Sequence, residues 1–433
     1  MDEATHGATE EESLEEWSNW SGNLTFEPSR IAKPESEEEV QDLVEHCLEE
    51  GKTLRVVGAG HSWTPVVQTD GLLVSLEEMT GLVSHDPDAK TAVIRGGTTL
   101  EEAASALQEV NLAMTNLGDV SLQTVAGAFG TGTHGTGADL QSLSSMLVGG
   151  RIVTGTGEVK AFSAEDDPEF LKAARLSLGA LGVFTELRLD LEPAYKIQRR
   201  EYCTTAEEAL EHVPTLAEEN RHFDFYWYPR SDEVKLRLLN APNGGTDEAD
   251  LEYATLVQKD TGWWHQTIAE HDDMTRKFEE MEYAVPAEDG VECFLELRDR
   301  IREEWRGDVG WRVLWRTIAP EDTYLSAEYG RQTVTMGVLQ NAQLEYEPYF
   351  EDVEEIFRRY DGRPHWGKRH SLRAPELSEL YPEWDRFQEI RREMDPERVF
   401  LSDYLRALLE GEGVDRDEQA TSEHPESGGD ASE

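Results

Sequence analysis

The order of apolar and polar positions in the first half of the chain predicts alternating helices and strands. Residues 36–50 carry an apolar stripe at helical spacing between Ser36, a suitable N-cap, and Gly51, so they predict a helix. Residues 99–110 predict a second helix by the same pattern. Short apolar or alternating runs predict strands at 72–76, 91–97 and 182–193 and a hairpin at 148–162.

Beyond Pro193 the pattern changes, and longer amphipathic stretches separate the apolar runs. Residues 308–319 and 331–346 predict strands, and residues 375–409 predict helices. From Gly411 onward the chain is polar and predicts disorder. A mixture of helices and strands over 433 residues predicts an α+β chain with more than one lobe.

The charge of the chain narrows the classes of function. Ninety Asp and Glu against 40 Lys and Arg give a formal net charge of −50. This charge argues against nucleic acid and anionic lipid as partners, because both require clustered basic residues. The excess of acids persists between the two acidic ends, and we interpret it as a halophilic adaptation to a salt-rich cytoplasm. The alternative is an acidic protein of an ordinary cell.

The N-terminus and the cysteines bear on location and metal content. The first 16 residues lack the basic and apolar regions of a signal peptide, and no apolar run approaches the roughly 20 residues that span a bilayer. A cytoplasmic protein is therefore expected. Cys47, Cys203 and Cys293 are too widely spaced for a disulfide framework or a Cys-based zinc site, so no metal is expected.

Two glycine-rich segments, both predicted to be loops, carry the strongest local signal: RVVGAGHS at 55–62 and TVAGAFGTGTHGTG at 124–137. Closely spaced glycines let backbone N–H groups converge on an anion such as a pyrophosphate. Neither segment is a dinucleotide fingerprint, because no GxGxxG opens a helix after a strand, and neither is a Walker A loop. Each alone could be a tight turn, but two in one region favour a large phosphorylated cofactor. His61 and His134 would then serve as hydrogen-bond donors or as nucleophiles toward it.

Seven motifs, in their order and spacing, resemble those of the vanillyl-alcohol-oxidase type of FAD flavoproteins, in particular the aldonolactone and alditol oxidases. They are NWSGN at 19–23, the two glycine-rich segments, SLGALGV at 177–183, MEYAVP at 281–286, LSAEYGR at 325–331 and RPHWGK at 363–368. The resemblance implies an α+β fold, in which a two-subdomain FAD-binding domain of the PCMH type carries a cap domain with an antiparallel sheet and flanking helices. Together with the acidic ends it divides the chain into an acidic segment at 1–16, the FAD-binding domain at 17–193, the cap or substrate domain at 194–364, a return to the FAD-binding domain at 365–409 and a disordered tail at 410–433.

The resemblance implies that FAD is bound by both glycine-rich segments and by positions close to the cap. The cofactor-binding positions are Arg55, Gly58, Ala59, Gly60, His61, Ser62, Gly118, Asp119, Thr124, Gly127, Thr131, Gly132, Thr133, His134, Gly135, Gly182, Val183, His365 and Lys368. His61 matches the family histidine that is often bonded to the flavin, so a covalent FAD is expected. A dissociable FAD in contact with His61 is the alternative.

The same resemblance assigns the catalytic residues. Arg316 and Lys368 match the cations that face the flavin ring and stabilise its reduced form. Leu314 stands where a glutamate is expected, so a proton acceptor is missing there. Asp119 replaces an expected serine and either serves as the base or caps a turn. Gly337 replaces an expected histidine.

Strand alternation extends the candidate substrate contacts. Arg312, Leu314 and Arg316 would share one face of a strand. A second arginine beside Arg316 would make the site cationic and suit a carboxylate-bearing or lactone substrate. Alternatively, Arg312 pairs with one of the many surface acids.

We therefore expect an FAD-dependent oxidoreductase that oxidises a CH–OH group of a sugar-derived lactone, aldonate or polyol by hydride transfer to flavin N5, with oxygen as the electron acceptor. A dehydrogenase with another acceptor, a flavin-binding protein that has lost catalysis and a phosphate-ligand module without flavin are the alternatives. The expected partner is a small-molecule substrate, and the oligomeric state stays open.

Overall fold

The structure of the protein, a computed structural model, describes residues 16–269 and 276–412. The acidic segment predicted at 1–16 and the disordered tail predicted at 410–433 therefore lie almost entirely outside the described residues. Within the described residues, no helix is both long enough and apolar enough to cross a bilayer.

The first half of the described chain forms small sheets and short helices. Its strands are β1 (Trp17–Ser18), β2 (Thr25–Phe26), β3 (Arg30–Ala32), β4 (Leu54–Val57), β5 (Leu72–Ser75), β6 (Leu82–Asp86), β7 (Thr91–Arg95), β8 (Leu112–Ala113), β9 (Leu147–Val153), β10 (Val159–Ser163), β11 (Val183–Asp190) and β12 (Glu192–Pro193). Its α-helices are α1 (Glu37–Glu50), α2 (Leu100–Glu109), α3 (Val125–Gly130) and α4 (Pro168–Ala174). The helices, strands and hairpin predicted here are confirmed, with ends shifted by a few residues.

Local capping explains where α1 begins and ends. The Ser36 side chain accepts a hydrogen bond from the backbone N–H of Glu39, as predicted. The Glu39 carboxylate, however, accepts from the backbone N–H of Glu35 at 2.9 Å, one residue before the N-cap. Gly51 ends the helix in the left-handed conformation, with φ of 63°.

The strands of the first half form two principal sheets. The order β3-β5-β4 is parallel, and the first glycine-rich segment begins within β4, with both of its glycines after the end of that strand. The order β10-β9-β11-β7-β6 is antiparallel. The second glycine-rich segment, expected to be a loop, instead opens with α3, because the Thr124 side chain caps the N–H of Gly127.

The second half of the described chain is dominated by long strands. They are β13 (Lys196–Thr205), β14 (His222–Tyr228), β15 (Glu233–Asn240), β16 (Thr255–Trp263), β17 (Phe278–Pro286), β18 (Val313–Ile318), β19 (Thr333–Asn341) and β20 (Arg363–Pro364). The helices are α5 (Ala206–Glu219), α6 (Trp264–Ile268), α7 (Gly290–Arg300), α8 (Glu347–Arg359), α9 (Ala374–Leu380), α10 (Trp384–Met394) and α11 (Asp403–Glu410).

These strands form an eight-stranded antiparallel sheet in the order β16-β13-β15-β14-β18-β19-β17-β20. The strand predicted at 308–319 begins only at Val313. The strand predicted at 331–346 ends at Asn341, because a turn closed by the bond from Leu344 N–H to the Asn341 carbonyl separates it from α8.

Backbone contacts hold the second glycine-rich segment against the eight-stranded sheet. The N–H of Gly137 donates to the carbonyl of Thr317 at 2.7 Å, and the N–H of Ala319 donates to the carbonyl of Leu140 at 2.9 Å. The Thr136 hydroxyl donates to the carbonyl of Phe223 on β14. The two halves of the chain therefore meet along β14 and β18, where the candidate site lies.

Candidate active site

Two adjoining cavities lie where the halves of the chain meet, with volumes of about 420 and 440 Å³. Both are lined by His61, Ser62, Gln123 and Thr131, so the two cavities are adjacent. The predicted cofactor positions on the first cavity are Arg55, Gly58, Ala59, Gly60, His61, Ser62, Thr124, Gly127, Thr131, Gly182 and Val183. The structure thus brings together two segments that lie about 70 residues apart in sequence.

The glycines in the first cavity allow a close approach of backbone that other residues would block. A Cβ on Gly58 would collide with the Thr124 hydroxyl, and one on Gly127 would lie 2.9 Å from it. Gly130, by contrast, has open space where its side chain would be. A cavity walled by glycines has room for a dinucleotide, and backbone N–H groups are donors that suit its pyrophosphate, so these residues fit FAD.

Arg55 lines the first cavity and also connects the segments around it. Its side chain is buried, and its guanidinium donates only to backbone carbonyls on the other segments around the cleft. The acceptors are the carbonyls of Val66, Leu178, Gly179 and Phe400. Through the bond to Phe400, Arg55 links the C-terminal part of the chain to the first glycine-rich segment.

His61 lies at the junction of the two cavities. Its ring stacks on Trp20 with a centroid distance of 5.2 Å. Burial, with help from the positive charges of Lys277 and Lys368, lowers the pKa of His61 to about 4. The imidazole is therefore neutral at ordinary pH, which leaves a ring nitrogen with a lone pair for bonding.

Two predicted cofactor positions do not line either cavity. Gly132 packs against Leu176, and a Cβ on Gly135 would collide with the Asn116 side chain. Both glycines shape the turn of the second glycine-rich segment, on the side away from the two cavities. The predicted cofactor positions that line the second cavity are His61, Ser62, Gly118, Asp119, Thr131, Thr133, His134, His365 and Lys368.

The second cavity is covered by one face of the eight-stranded sheet. Arg312, Leu314 and Arg316 all line it, as alternation predicts. Leu314 on β18 pairs in register with Gly337 on β19, which in turn pairs with Glu282 on β17. Leu314 and a carboxylate therefore lie in the same row, with a glycine between them.

Two glutamates that the sequence reasoning missed lie in this cavity. Glu280 and Glu282 are two residues apart on β17, so both point to the covered face. Lys368 forms an ion pair with Glu280. The MEYAVP motif contains Glu282, and strand alternation on β17 was the signal that could have placed both residues here.

His134 is fixed by the second of these glutamates. It donates from both ring nitrogens, to Glu282 Oε1 at 2.5 Å and to the carbonyl of Gly135 at 3.0 Å. Burial alone would lower the pKa of His134, but the Glu282 carboxylate outweighs burial and raises it. Reciprocally, burial opposes ionisation of Glu282, yet His134 holds its pKa well below the usual range. The pair is therefore charged.

Asp119 lies in a network of arginines. Its Oδ2 is 2.6 Å from Arg316 Nη2, and its Oδ1 is 3.2 Å from Arg237 Nη1. The Tyr226 hydroxyl donates to Asp119 at 2.9 Å, and Asp224 binds Arg237 behind it. Although burial would raise the pKa of Asp119, Arg237 and Arg316 hold it far below the usual range. Arg237, Tyr226 and Asp224 were also missed, although alternation on β14 and β15 places them on this face.

The site is less cationic than the sequence suggested. Arg316 is paired with Asp119, Lys368 with Glu280, and His134 with Glu282. The Arg312 guanidinium stacks over the Tyr226 ring, 3.7 Å from its centroid. Across the described ranges, no group of three or more His, Cys, Asp or Glu side chains is arranged to hold a metal ion.

Comparison with known proteins identifies the fold and the family. Residues 187–272 and 271–408 match the model described as D-arabinono-1,4-lactone oxidase, and residues 28–163 match the model described as FAD binding domain. The chain belongs to the D-arabinono-1,4-lactone oxidase family. Its α+β fold, its FAD-binding domain and its membership of the FAD-linked oxidases and dehydrogenases are thereby confirmed.

Relatives in this family carry several activities in their names. L-gulono-1,4-lactone dehydrogenase of Mycobacterium tuberculosis is 34% identical over 91% of this chain and 99% of its own length. Alditol oxidase of a Streptomyces species is 28% identical over 91% of this chain and 99% of its own length. L-gulonolactone oxidase of Bos taurus is 27% identical over 90% of this chain and 97% of its own length.

Solved structures show the same fold at low sequence identity. Cholesterol oxidase from B. sterolicum superposes with a TM-score of 0.80 and 15% identity, covering 92% of this chain and 97% of its own. Glucooligosaccharide oxidase from Acremonium strictum, which carries a 6-S-cysteinyl, 8α-N1-histidyl FAD, gives a TM-score of 0.73 and 17% identity, covering 90% of this chain and 94% of its own. At these identities the likeness extends to the fold alone.

Proposed function

We propose that this family member oxidises a CH–OH group of a neutral, sugar-derived lactone with FAD. The observation that carries the proposal is that His61 borders both cavities, so the glycine-walled cavity lies next to the one lined by Arg316 and Lys368. A cofactor in the first cavity and a substrate in the second would meet at this junction. Bound FAD supplies the acceptor, at flavin N5, for the hydride that leaves the carbinol carbon.

The residues of the chain divide the remaining tasks. The glycine-rich backbone holds the cofactor, and His61 lies where the ring system would enter the second cavity. Arg316 is oriented by Asp119 at 2.6 Å, so its positive charge is fixed before any substrate arrives. A preoriented charge costs no reorganisation when negative charge develops next to it. Lys368, held by Glu280, supplies a second such charge.

Aromatic side chains shield the junction from water. Trp20, Trp63 and Phe278 pack together with centroid distances of 5.1 to 6.3 Å, and Trp311 continues the cluster from Phe278 at 5.5 Å. Trp63 is anchored by its Nε1–H, which donates to the carbonyl of Phe278 at 2.7 Å. Exclusion of water strengthens the electrostatic contacts inside the cavity.

The pairing of charges supports a neutral lactone over an aldonate. Arg316 and Lys368, the cations expected to bind a carboxylate, already contact Asp119 and Glu280. A substrate carboxylate would have to displace the half-buried Asp119 or the buried Glu280 and leave it unpaired, which is costly. A lactone has hydroxyl and carbonyl groups that hydrogen-bond to the same side chains without displacing charge. The names of the relatives, which include lactone enzymes and an alditol oxidase, support the same substrate range.

The test is reduction of the bound flavin under anaerobic conditions by matched sets of aldonolactones, aldonates and alditols. We expect the lactones to bleach the flavin fastest. Faster bleaching by aldonates or alditols would contradict the assignment to lactones, and a purified protein without flavin absorbance would contradict the proposal as a whole. Admission of air afterwards tests the electron acceptor. Oxygen stays a prediction, because the relatives include both oxidases and dehydrogenases.

We also infer that His61 bonds covalently to the flavin. The half-buried, neutral imidazole at the junction supports this, because a protonated ring could not act as a nucleophile. Precipitation with acid should leave the yellow colour in the pellet of the native protein and release it from His61→Ala. Colour in the supernatant of the native protein would establish a dissociable FAD.

The predicted division of the chain is retained as part of the proposal. Strands β1–β12 all lie before residue 194, and the eight-stranded sheet is built from residues 196–364. This segregation supports an FAD-binding domain at 17–193, a cap at 194–364 and a return segment at 365–409. The bonds from Arg55 on β4 to the carbonyl of Phe400 support the return of the C-terminal segment. A location in the cytoplasm is likewise retained.

A further inference from the structure

We propose that Glu280 is the catalytic base, which accepts the proton of the substrate hydroxyl; this inference rests on the proposed function. Leu314 leaves β18 without a proton acceptor next to Arg316, and an oxidation of CH–OH requires one. The covered face of the sheet supplies carboxylates from β17 instead. Of these, Glu280 lines the second cavity, contacts Lys368 and has the highest affinity for a proton.

The position of Glu280 follows from the register of the sheet. Glu280 pairs with Leu339 on β19, and Glu282 pairs with Gly337, which pairs with Leu314 on β18. Residues that pair in register, and residues two apart on one strand, point to the same face of a sheet. All five residues named here are related in one of these ways, so they share a face. Four of them, Glu280, Glu282, Leu314 and Leu339, line the second cavity. Glu280 therefore lies in the register row next to that of Leu314, on the same face of the sheet. It would supply the proton acceptor that a leucine cannot provide.

Gly337 provides the space that Glu280 occupies. A Cβ at this position would lie 3.0 Å from Glu280 Oε1 and 3.4 Å from Glu282 Oε2. A methyl group there would press on the Glu280 carboxylate and be in ordinary contact with that of Glu282. Because Gly337 on β19 has no side chain, the Glu280 carboxylate on β17 has the space to face the cavity.

The other two carboxylates in the cavity are poor proton acceptors. Asp119 is held ionised by Arg237 and Arg316, and Glu282 by His134, so the pKa of each lies well below its usual range. A carboxylate with such a low pKa has little affinity for a proton. They orient other groups in the site, and neither is suited to remove a proton.

The surroundings of Glu280 raise its pKa, whereas those of Asp119 and Glu282 lower theirs. Burial is the largest influence and raises its pKa, the negative charge of Glu282 adds to this, and Lys368 and Arg316 oppose it. From the segment after β20, His365 also faces the pair, but burial lowers its pKa to about 3 and keeps it neutral. His134 faces Glu282 on the far side and is charged. Glu280 therefore combines contact with the cavity and a raised proton affinity.

The proposed oxidation moves a hydride and a proton from the substrate to two different acceptors. The carbinol C–H bond breaks and its hydrogen leaves with the bonding electron pair, for which the bound FAD is the acceptor. The O–H bond breaks and its proton moves to the Glu280 carboxylate, so the oxygen electrons form the C=O bond of the product. Lys368, in contact with Glu280, orients the carboxylate and offsets the charge of the alkoxide as it develops.

A neighbouring pair of residues supplies a matched control. Glu279 precedes Glu280 on β17, points to the opposite face, and pairs with Arg369, which follows Lys368, at 2.7 Å. It is buried and also accepts from Asn23 at 3.1 Å. Glu279→Gln therefore makes the same chemical change, on the same strand, in an equivalent ion pair that does not line the cavity.

The experiment compares Glu280→Gln, Glu279→Gln and the unmodified holoprotein by anaerobic stopped-flow bleaching with an aldonolactone, from pH 5 to 9. We expect Glu280→Gln to lower the rate of flavin reduction by about 10²-fold or more and to abolish its rise with pH. Glu279→Gln should keep both the rate and the pH profile. A profile in Glu280→Gln equal to that of Glu279→Gln would overturn the inference. Failure of the unmodified protein to bleach with any lactone would instead refute the proposed function.

Two further measurements separate chemistry from binding and folding. The dissociation constant of a lactone that lacks the reactive hydroxyl, read from its shift of the flavin spectrum, should change less than about threefold in Glu280→Gln. A larger weakening, equal to the loss in rate, would assign Glu280 to binding and overturn its role as base. Should Glu280→Gln not fold, Glu280→Asp keeps the carboxylate, and persistence of the pH-dependent rise in that variant is the expected result; its disappearance would count against Glu280.

Discussion

Asp119 Oδ2 and Arg316 Nη2 lie 2.6 Å apart although 197 residues separate them in sequence. The contact joins a loop next to the glycine-rich wall to the strand that covers the second cavity. It argues against Asp119 as the base, because a carboxylate paired with two arginines does not remove protons readily. We infer that Asp119 instead positions Arg316.

Replacement of Asp119 by Asn tests this positioning role. Loss of the carboxylate leaves buried Arg237 and Arg316 with Asp224 as their remaining acid, so we expect the free energy of unfolding to fall by about 3 kcal/mol. The substrate KM should rise, while the pH profile of flavin reduction keeps its shape. Asp322→Asn, which removes an exposed partner of Arg175, serves as the control. Loss of the pH dependence in Asp119→Asn would restore Asp119 as the base.

Gly337→Ala tests the space next to Glu280. The added methyl group would lie 3.0 Å from Glu280 Oε1, which forces the carboxylate to shift. Because small displacements of reacting groups are costly, we expect flavin reduction to slow about 10-fold, with the same FAD content per mole of protein. Gly307→Ala, whose Cβ would meet no atom within 4 Å, should leave the rate unchanged. Equal rates in the two variants would contradict the steric argument.

Glu321 predicts a pH dependence of stability. It is buried, accepts from the Ser142 N–H at 3.1 Å and from the Ser142 hydroxyl at 2.9 Å, and faces Glu328. Burial and then the Glu328 charge raise the pKa of Glu321 to about 7. A raised carboxyl pKa stabilises the folded state below pH 4.5, and the stabilisation is lost as the pH rises through 7.

Chemical denaturation at pH 4.5 and pH 8 measures this contribution. The unmodified protein should lose on the order of 2 kcal/mol more than Glu321→Gln over this interval, because glutamine keeps the neutral form at every pH. Other titrating groups contribute equally to both proteins and cancel in the difference. Identical pH dependence in the two proteins would show that Glu321 titrates normally.

The charge of −50 predicts a requirement for salt. At molar ionic strength the Debye length shrinks to about 3 Å, which screens repulsion between surface acids. We expect the melting temperature to rise by roughly 10 °C or more between 0.1 and 2 M KCl, whereas the Asp119–Arg316 pair, in which only Arg316 is buried, is screened less than the exposed acids. Sucrose of equal osmolality controls for solvent exclusion. A melting temperature that stays flat across this range would refute the salt adaptation.

The amino-acid sequence alone determined the local elements and the cofactor side of the cleft. Helix α1, helix α2 and the hairpin of β9 and β10 follow from capping residues and from apolar spacing, which act over a few residues. The glycine-rich segments were recognisable because close approach of backbone to a ligand excludes side chains. Even there, α3 was mistaken for a loop, since its first turn depends on the single cap provided by Thr124.

Only the tertiary structure decided which charged side chains meet in the second cavity. Asp119 and Arg316, Glu280 and Lys368, and His134 and Glu282 each join residues 88 to 197 positions apart. Strand alternation states which residues share a face, but it does not state which strand lies next to which. The order β14-β18-β19-β17 brings Leu314, Gly337 and Glu282 into one row. The proton affinity of a buried carboxylate depends on such neighbours, and they come from distant parts of the chain.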